Sequence, residues 1–270
     1  MTTQGAPTTV ILCAYRNVVT ETMESIEFLR DLGWGYRVGR GDALIERVRS
    51  REVSRWYKST DEDVFLMVDD DVVFAPDHAL KVVNLAREKR SIAVGAYPVK
   101  DGTHLACRGF PGQTLTFGPG APAVEIAMPA TGFMAVHRDV LTAMINATQR
   151  DNPDNAAFVR LIDGLGESAV LADARRALDA PLVPLCYGAD DEKMHWWPFF
   201  YAFWITGQRG DVEPLSEDYA FGERARWLGF KVWLDQSIEL YHLGQYPYCV
   251  SNMQGEGVVH HNDAPLVLAS

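Results

Sequence analysis

Apolar runs alternate with helical patterns in the N-terminal part of the chain, and this alternation constrains the fold more than any other feature. The runs TTVILCA, VFLMV and SIAVGAY predict buried strands, with a short extended GYRVG segment between the first two. The strands are expected over Thr8–Ala14, Val64–Val68 and Ser91–Tyr97, and the helices over Thr20–Leu32, about Asp42–Lys58 and Pro76–Lys89. Strands that alternate with helices indicate an α/β fold, in which helices cover both faces of a mainly parallel sheet.

The pattern changes after Tyr97 to short pieces separated by glycine and proline. LACRGF, QTLTFG and AVEIAMPATGFMAVHR predict antiparallel or mixed strands added to the sheet, and KVWLDQSIELYHLG predicts further strand pieces. Helices are expected over Asp139–Thr148, near Glu167–Leu178 and over Ser216–Leu228. The polar, Ala-rich stretch Asp151–Pro184, which contains the second of these helices, is predicted to be an insertion or a lid.

Composition favours an ordinary globular protein. The 270 residues are 47% hydrophobic and 23% charged, and no apolar run approaches the roughly 20 residues of a membrane helix. The N-terminus lacks a basic region leading into a signal-peptide core, so we expect a cytoplasmic protein without a membrane partner. Four widely spaced cysteines without a CxxC pair are expected to be reduced.

The net charge of -11 disfavours broad attraction to nucleic acid, but it leaves room for a local basic patch. Basic residues do cluster over Arg37–Arg55, in RVGRGDALIERVRSREVSR. This cluster is either a site for a polyphosphate group or a solvated helix face.

Three consecutive aspartates, Asp69–Asp71, follow the third predicted strand in VFLMVDDDVVF. Grouped carboxylates repel one another, and burying them is costly unless a cation lies among them. Oxygen ligands favour Mg²⁺ or Mn²⁺, and α/β sheets bind ligands at the carboxyl ends of their strands. Asp71 is therefore a candidate metal ligand, Asp69 a candidate contact to a nucleotide ribose or a metal-bound water, and Asp70 a turn residue; a solvated turn is the alternative for all three.

Two further features lie far down the chain. In PLSEDYAF, Ser216 is suited to the N-cap of a helix whose first turn holds Glu217 and Asp218. Asp218 is a candidate general base held on a rigid turn, although acids also suit a helix N-terminus for structural reasons. In YHLG, His242 is either a structural histidine or a ligand that completes the metal site.

Together these motifs resemble the GT-A fold of nucleotide-sugar-dependent glycosyltransferases, in particular the compact family-2-like enzymes of bacteria and phages. The similar pieces, in chain order, are AYRN after the first strand, D-x-D after the third, ATGFMAVHRDVL, SEDYAF and YHLG. The resemblance covers about Thr8 to Tyr248. It implies one Rossmann-like GT-A domain over residues 1–270, with a nucleotide-binding half over about 1–100, an acceptor and catalytic half over 101–250, and a C-terminal tail over 251–270.

The resemblance also implies roles for single residues. Asp71 and His242 would hold Mn²⁺ or Mg²⁺, and Asp218 would be the base of a displacement that inverts the sugar. The donor, a nucleoside-diphosphate sugar with a UDP-sugar favoured, would be contacted by Ala14, Tyr15, Asn17, Arg49, Asp69, Asp70, Gly132 and Glu217. In the family, the arginine that Arg49 would match is followed by an asparagine, but here the following residue is Ser50. Arg47 and Arg51 therefore compete with Arg49 for this role. Gly132 would let the backbone approach the donor closely or would form a tight turn.

The acceptor side is expected at HWWPFFYAFW, which concentrates aromatic residues before SEDYAF. Trp196 and Trp197 cannot both point inward on a strand, and exposed rings would stack on a sugar or a base; core packing is the alternative. The acceptor hydroxyl would belong to a glycan or, as in some related phage enzymes, to a hydroxymethylated pyrimidine in DNA, which must be flipped out to react. The oligomeric state is not predicted.

Two other functions fit parts of the sequence. FLMVDDDVV also matches the D-x-D-x-[TV] motif of haloacid-dehalogenase-like phosphatases, with Asp69 as nucleophile and Asp71 as general acid. That motif usually ends the first strand of its fold, and it leaves YHLG unexplained. A non-catalytic protein that binds a sugar or a nucleotide would explain the aromatic residues but not the acid at Asp218.

Overall fold

The computed structural model describes residues 8–14, 17–166, 168–181, 185–187, 194–206, 212–244, 247–250 and 266–268. Its helices are α1 (Thr20–Asp31), α2 (Ile45–Ser59), α3 (Pro76–Lys89), α4 (Arg138–Asn146), α5 (Ala156–Gly164), α6 (Ala169–Asp179) and α7 (Glu217–Trp227). Its strands are β1 (Thr9–Cys13), β2 (Gly35–Gly39), β3 (Val64–Asp69), β4 (Val72–Val73), β5 (Ile92–Gly95), β6 (Leu115–Phe117), β7 (Ala123–Ile126), β8 (Phe133–His137), β9 (Leu185–Tyr187), β10 (Met194–Trp196), β11 (Phe203–Thr206), β12 (Val212–Leu215), β13 (Val232–Asp235), β14 (Tyr241–Leu243), β15 (Pro247–Tyr248) and β16 (Leu266–Leu268).

A seven-stranded sheet in the order β2-β1-β3-β8-β5-β13-β7 forms the centre of the fold. Strands β2, β1, β3, β5 and β13 run in one direction, and β8 and β7 run in the other. Every residue of β1, β5 and β8 is buried, as expected for strands covered by helices on both faces. The predicted α/β class with a mainly parallel central sheet is confirmed.

The segment from Ala123 to His137 belongs to AVEIAMPATGFMAVHR, for which the sequence predicts antiparallel or mixed strands. It forms two strands, β7 at the edge of the sheet and β8 between β3 and β5. Pro129 lies between them, and proline cannot donate a hydrogen bond to a neighbouring strand. The break moves the second half of the segment to the middle of the sheet, where Gly132 lies directly before β8.

The stretch predicted to be an insertion contains more helix than expected. Besides α6, which matches the predicted helix within two residues at its start, the structure has α5 and two short 3₁₀ turns, Gln149–Asp151 and Pro153–Asn155. The side chain of Ser168 caps α6 by accepting a hydrogen bond from the Leu171 backbone N–H at 3.3 Å. The sequence prediction missed α5 because its apolar pattern is short.

Small sheets lie around the central one, as expected from the short strand pieces that follow Tyr97. Strands β15, β14 and β4 form a three-stranded sheet, and β9 pairs with β10 and β11 with β12. Strand β16, which falls in the predicted C-terminal tail, pairs in parallel with β6. The division of the chain into halves and a tail stays a prediction.

Two expectations from composition can be compared with the described residues. Cys13 and Cys107 are free and buried, and Cys249 is buried. No helix in the described part of the chain combines the length and the apolar character needed to cross a membrane.

Candidate active site

The carboxyl ends of β1 and β3 meet the start of β8 at one edge of the central sheet. Cys13 at the end of β1 is in register with Asp69 at the end of β3. Because β8 is antiparallel to β3, Phe133 at its start lies opposite Val68. The Asp69 backbone N–H donates to the carbonyl of Gly132 at 3.0 Å. Sheet pairing alone therefore brings Asp69 and Gly132 together.

Arg49 bridges two acidic residues that are far apart in sequence. Its side chain, from α2, is 4% exposed; Nη2 lies 2.6 Å from Asp69 Oδ1, and Nη1 lies 2.5 Å from Glu217 Oε1. Burial by itself would lower the pKa of Arg49, but the charges of Asp69, Cys13 and Glu217 outweigh it and raise that pKa. Arg49 thus joins α2, β3 and the first turn of α7 at the site.

The competing arginines of α2 point elsewhere. Arg47 donates to both carboxylate oxygens of Asp42, at 2.8 and 2.6 Å, and Arg51 Nε lies 3.4 Å from Glu52 Oε1. Arg49 is therefore the arginine of this helix that reaches the site. Since these guanidinium groups face carboxylates, the part of the Arg37–Arg55 cluster that lies on α2 is not an open basic patch.

Asp218 lies beside Glu217 in the first turn of α7. Its Oδ1 accepts hydrogen bonds from the Ser216 hydroxyl and, at 2.8 Å, from the Tyr219 backbone N–H. Burial raises the pKa of Asp218 above the usual aspartate range, and the neighbouring Glu217 charge adds to this effect. Ser216 occupies the predicted N-cap position, but its hydroxyl bonds Asp218 and does not cap the backbone. The site thus holds a carboxylate of increased basicity on a rigid helix start.

Asp71 and His242 are brought together by the small sheet. His242 on β14 is opposite Val72 on β4, and the Leu243 backbone N–H donates to the Asp71 carbonyl at 2.8 Å. His242 Nε2 lies 3.4 Å from Asp71 Oδ1, while Lys100 Nζ lies 2.5 Å from the other oxygen, Oδ2. Burial alone would raise the pKa of Asp71, but hydrogen bonds from His242 and Lys100 and their charges hold it below the usual range.

The pair Asp71 and His242, which we call the candidate cation site, has donor atoms that suit a divalent metal. His242 Nδ1 lies 2.9 Å from the Pro98 carbonyl, and a carbonyl can only accept, so Nδ1 carries a proton. When Nε2 is protonated as well, it donates to the Asp71 carboxylate. Without that proton its lone pair faces the carboxylate, and a cation between the two would take the place of the proton. The described residues hold no cluster of three or more His, Cys, Asp or Glu side chains able to bind a metal. A metal here would therefore take its remaining ligands from water or phosphate oxygens.

Gly132 is required by a neighbouring side chain. A Cβ at this position would lie 2.2 Å from the Tyr97 hydroxyl oxygen and 3.0 Å from Asp69 Oδ2. The Gly132 backbone N–H donates to that hydroxyl at 2.9 Å. Gly132 does lie in a turn, directly before β8. It is not among the residues with positive φ, so the turn by itself does not require glycine, whereas the close approach of Tyr97 does. Burial, together with the charges of Asp69 and Asp218, raises the pKa of Tyr97 well above its usual value.

The other residues predicted to contact the donor follow the ends of β1 and β3, and one of them lies outside the described residues. Ala14 is buried, and its N–H donates to the Gly39 carbonyl at 3.0 Å. Asn17 is exposed, whereas Tyr15 lies outside the described residues. Asp70 is half-buried in the turn after β3, and its carbonyl accepts the Val19 N–H at 2.9 Å. Their contacts to a donor stay predictions.

The two tryptophans differ from the expected stacking surface. Trp196 is 2% exposed, and its indole N–H is buried without a hydrogen-bond partner in the described part of the chain. Its expected role as an exposed ring is wrong, because the ring packs inside the protein. Trp197 is half-buried, with Lys58 Nζ 4.9 Å from its ring centroid. In the same stretch Trp204 is 66% exposed, so it presents an open aromatic face that the sequence analysis did not single out.

Sequence reasoning missed Tyr97 and Lys100. Tyr97 follows the apolar strand β5 and therefore lies at the same sheet edge as Asp69, so the rule that ligands bind at carboxyl ends of strands could have found it. Lys100 lies on a loop, and only the fold shows that it reaches Asp71.

No protein-family model matches this sequence, and no curated protein matches it. Among solved structures, the protein A197 from STIV is similar over 88% of this chain and 86% of its own, with 13% identity and a TM-score of 0.47. A glycosyltransferase involved in the glycosylation of the major capsid of PBCV-1 is similar over 50% of this chain and 62% of its own, with 16% identity and a TM-score of 0.31. An apo UDP-glucose pyrophosphorylase is similar over 88% and 77%, with 10% identity and a TM-score of 0.37. These identities and scores are low, so the similarities support no functional assignment.

Proposed function

We propose that the protein is a metal-dependent glycosyltransferase that moves a sugar from a nucleoside diphosphate, with a UDP-sugar favoured, to an acceptor hydroxyl. The observation that carries the proposal is the position of Asp218. Its carboxylate has a raised pKa, stands next to Glu217, and is tied through Glu217 and Arg49 to Asp69 at the end of β3. One edge of the sheet then holds Asp218 as the candidate base and Asp69 as the candidate nucleotide contact. The candidate cation site begins at Asp71, two residues after Asp69.

In the proposed reaction, Asp218 takes the proton of the acceptor hydroxyl at its oxygen Oδ2, because Oδ1 already accepts two hydrogen bonds. The acceptor oxygen forms a bond to the anomeric carbon as the bond from that carbon to the diphosphate oxygen breaks. The nucleoside diphosphate leaves with the electron pair of the broken bond. A single displacement of this kind inverts the anomeric configuration.

The charge that develops on the leaving diphosphate needs positive partners. A Mn²⁺ or Mg²⁺ ion held by Asp71 and His242 would neutralise this charge when bound. Lys100, whose ammonium group already contacts Asp71, adds a positive charge from the chain itself. Arg49 does not serve this purpose directly, because its buried guanidinium is directed at Asp69 and Glu217. It is a positioning residue in the proposal.

The phosphatase function fits the same residues less well. A general acid must carry a proton, yet the surroundings of Asp71 hold its pKa below the usual range. Asp69 would have to act as a nucleophile while its Oδ1 is bound to the buried Arg49 guanidinium at 2.6 Å. A protein that only binds sugars would have no use for the raised pKa of Asp218.

We propose a glycan or a hydroxymethylated pyrimidine of phage DNA as the acceptor, in a bacterium or phage-infected cell. Exposed aromatic rings suit either one, since they stack on sugars and on flipped bases. Trp204, at 66% exposure, is the side chain that favours such stacking in this structure.

The test is a panel of nucleotide sugars with Mn²⁺, measured by thermal shift and by release of nucleoside diphosphate. Hydroxymethylated DNA and simple glycans are then offered as acceptors with the donor that binds. Donor-dependent release that is lost in Asp218→Asn supports the proposal. If no donor shifts the melting temperature, or if Asp69→Asn abolishes a phosphoaspartyl intermediate, the glycosyltransferase proposal fails.

A further inference from the structure

A cavity lies away from Asp69, Asp71 and Asp218. It has a volume of about 360 Å³ and is bounded by the end of α4, the 3₁₀ turn Gln149–Asp151, the segment at Phe199 and the C-terminal part of α7. Its walls are largely apolar and include Met144, Phe199 and Trp227. A volume in this range is typical of cavities that bind small molecules.

Arg224 contributes a positive charge to this apolar cavity. Its Nη1 donates to the Phe199 carbonyl at 3.0 Å, its Nη2 donates to the Tyr201 carbonyl, and its guanidinium carbon lies 4.7 Å from the Phe203 ring centroid. A guanidinium group has five N–H donors, so these two bonds leave others for a ligand.

In the described part of the chain, no carboxylate forms an ion pair with Arg224. Burial lowers the pKa of Arg224 to about 10, and no nearby charge offsets the effect. Asp151 also lines the cavity, but its Oδ2 accepts hydrogen bonds from the Thr148 backbone N–H at 2.7 Å and hydroxyl at 3.0 Å. Arg226 on the same helix shows the usual arrangement, with Nη1 3.0 Å from Glu223 Oε2. Arg224 is thus a largely buried cation that is bonded to backbone carbonyls, and the Asp151 carboxylate that also lines the cavity is engaged by Thr148 and forms no ion pair with it.

We propose that this cavity binds a small organic anion, with its carboxylate or phosphate group on Arg224 and its apolar body against Phe199 and Trp227. A planar guanidinium pairs with either group through parallel hydrogen bonds, and in a partly desolvated site such bonds are stronger than neutral ones. The anion supplies the missing counter-charge, and the ring walls exclude water from its apolar part.

The cavity is separate from Asp71, Asp218 and His242, although Phe199 belongs to the aromatic stretch that is expected on the acceptor side. Arg224 follows Asp218 on α7 by almost two turns, which places it about 9 Å further along the axis and on a different face. The inference therefore stands independently of the proposed glycosyl transfer.

Calorimetric titration of the full chain with benzoate, phenyl phosphate and benzyl alcohol, at constant ionic strength, tests the inference. We expect both anions to bind and the neutral alcohol to bind at least tenfold more weakly. Stronger binding of phenyl phosphate identifies the phosphate as the preferred group, and stronger binding of benzoate identifies the carboxylate. Equal binding of the alcohol, or no binding of either anion, overturns the inference.

Two variants locate the binding. Arg224→Gln is expected to weaken the binding of both anions at least tenfold. Arg226→Gln makes the same charge change on the same helix and is expected to leave the affinity for the anions unchanged. Ala147→Leu adds bulk to the cavity wall while keeping Arg224, so it is expected to reduce binding of both anions. Equal effects of the two arginine variants contradict the inference. If Arg224→Gln does not fold, unchanged affinity in Ala147→Leu contradicts it instead.

Discussion

Replacement of Arg49 by methionine should lower the free energy of unfolding by about 3 kcal/mol. The variant keeps the length of the side chain but removes the ion pairs to Asp69 and Glu217, which are 2.6 and 2.5 Å long. Removing one partner of a buried pair typically costs about 3 to 5 kcal/mol, because a charge stays behind without compensation. The two carboxylates keep side-chain exposures of 25% and 22%, so water can reach them, and we expect the lower end of that range.

Urea unfolding followed by far-ultraviolet circular dichroism measures this loss. The control is Arg176→Met, which removes an ion pair between side chains that are 74% and 71% exposed, and it should cost under about 1 kcal/mol. Arg49→Lys keeps a charge but cannot contact both carboxylates through a planar fork, so we expect an intermediate loss. In a Glu217→Gln background, the Arg49→Met change should cost about 1 kcal/mol less than in the wild type. A loss no larger than that of Arg176→Met would refute the bridge as a stabilising element.

Three other predictions concern single groups of the site. Asp218→Asn should reduce turnover by roughly 10²- to 10⁴-fold, with donor affinity retained in calorimetry, and unchanged turnover would remove Asp218 as the base. A base works only when it is deprotonated, and burial raises the pKa of Asp218. The wild-type rate should therefore rise with pH through a value above the usual aspartate range. His242→Ala should abolish the rise in melting temperature caused by Mn²⁺, whereas His104→Ala should preserve it, and equal losses would argue against the candidate cation site. Gly132→Ala should lower the free energy of unfolding by about 1 to 3 kcal/mol, because its Cβ would lie 2.2 Å from the Tyr97 hydroxyl. The loss should be smaller in a Tyr97→Phe background, and equal losses in the two backgrounds would show that the hydroxyl is not the cause.

The elements that the sequence predicts well are those whose environment is uniform along their length. Val64–Val68 is buried at every position, so its continuous apolar run identifies a strand without any knowledge of its neighbours. The position of Asp69–Asp71 at a strand end follows directly. That His242 would reach Asp71 came from the resemblance of YHLG to a known motif, and the structure places the two side chains 3.4 Å apart.

What the sequence could not predict depends on contacts between distant elements. The resemblance pointed to Arg49 with Arg47 and Arg51 as competitors, and the choice among them depends on which face of α2 packs toward β3 and α7. The burial of Trp196 likewise depends on how β10 sits against α2. In contrast, Pro129 was a readable signal for dividing β7 from β8, because a proline rarely continues a central strand.

The pairing of β4 with β14 has a consequence for protein synthesis. Asp71 leaves the ribosome early, together with β1 to β3, and domains begin to fold from the N-terminus while translation continues. Its partners across the small sheet, His242 and the N–H of Leu243, are made only near the end of the described chain. A nascent or truncated chain can thus complete the central strands around Asp69 while the candidate cation site is still missing one of its two ligands.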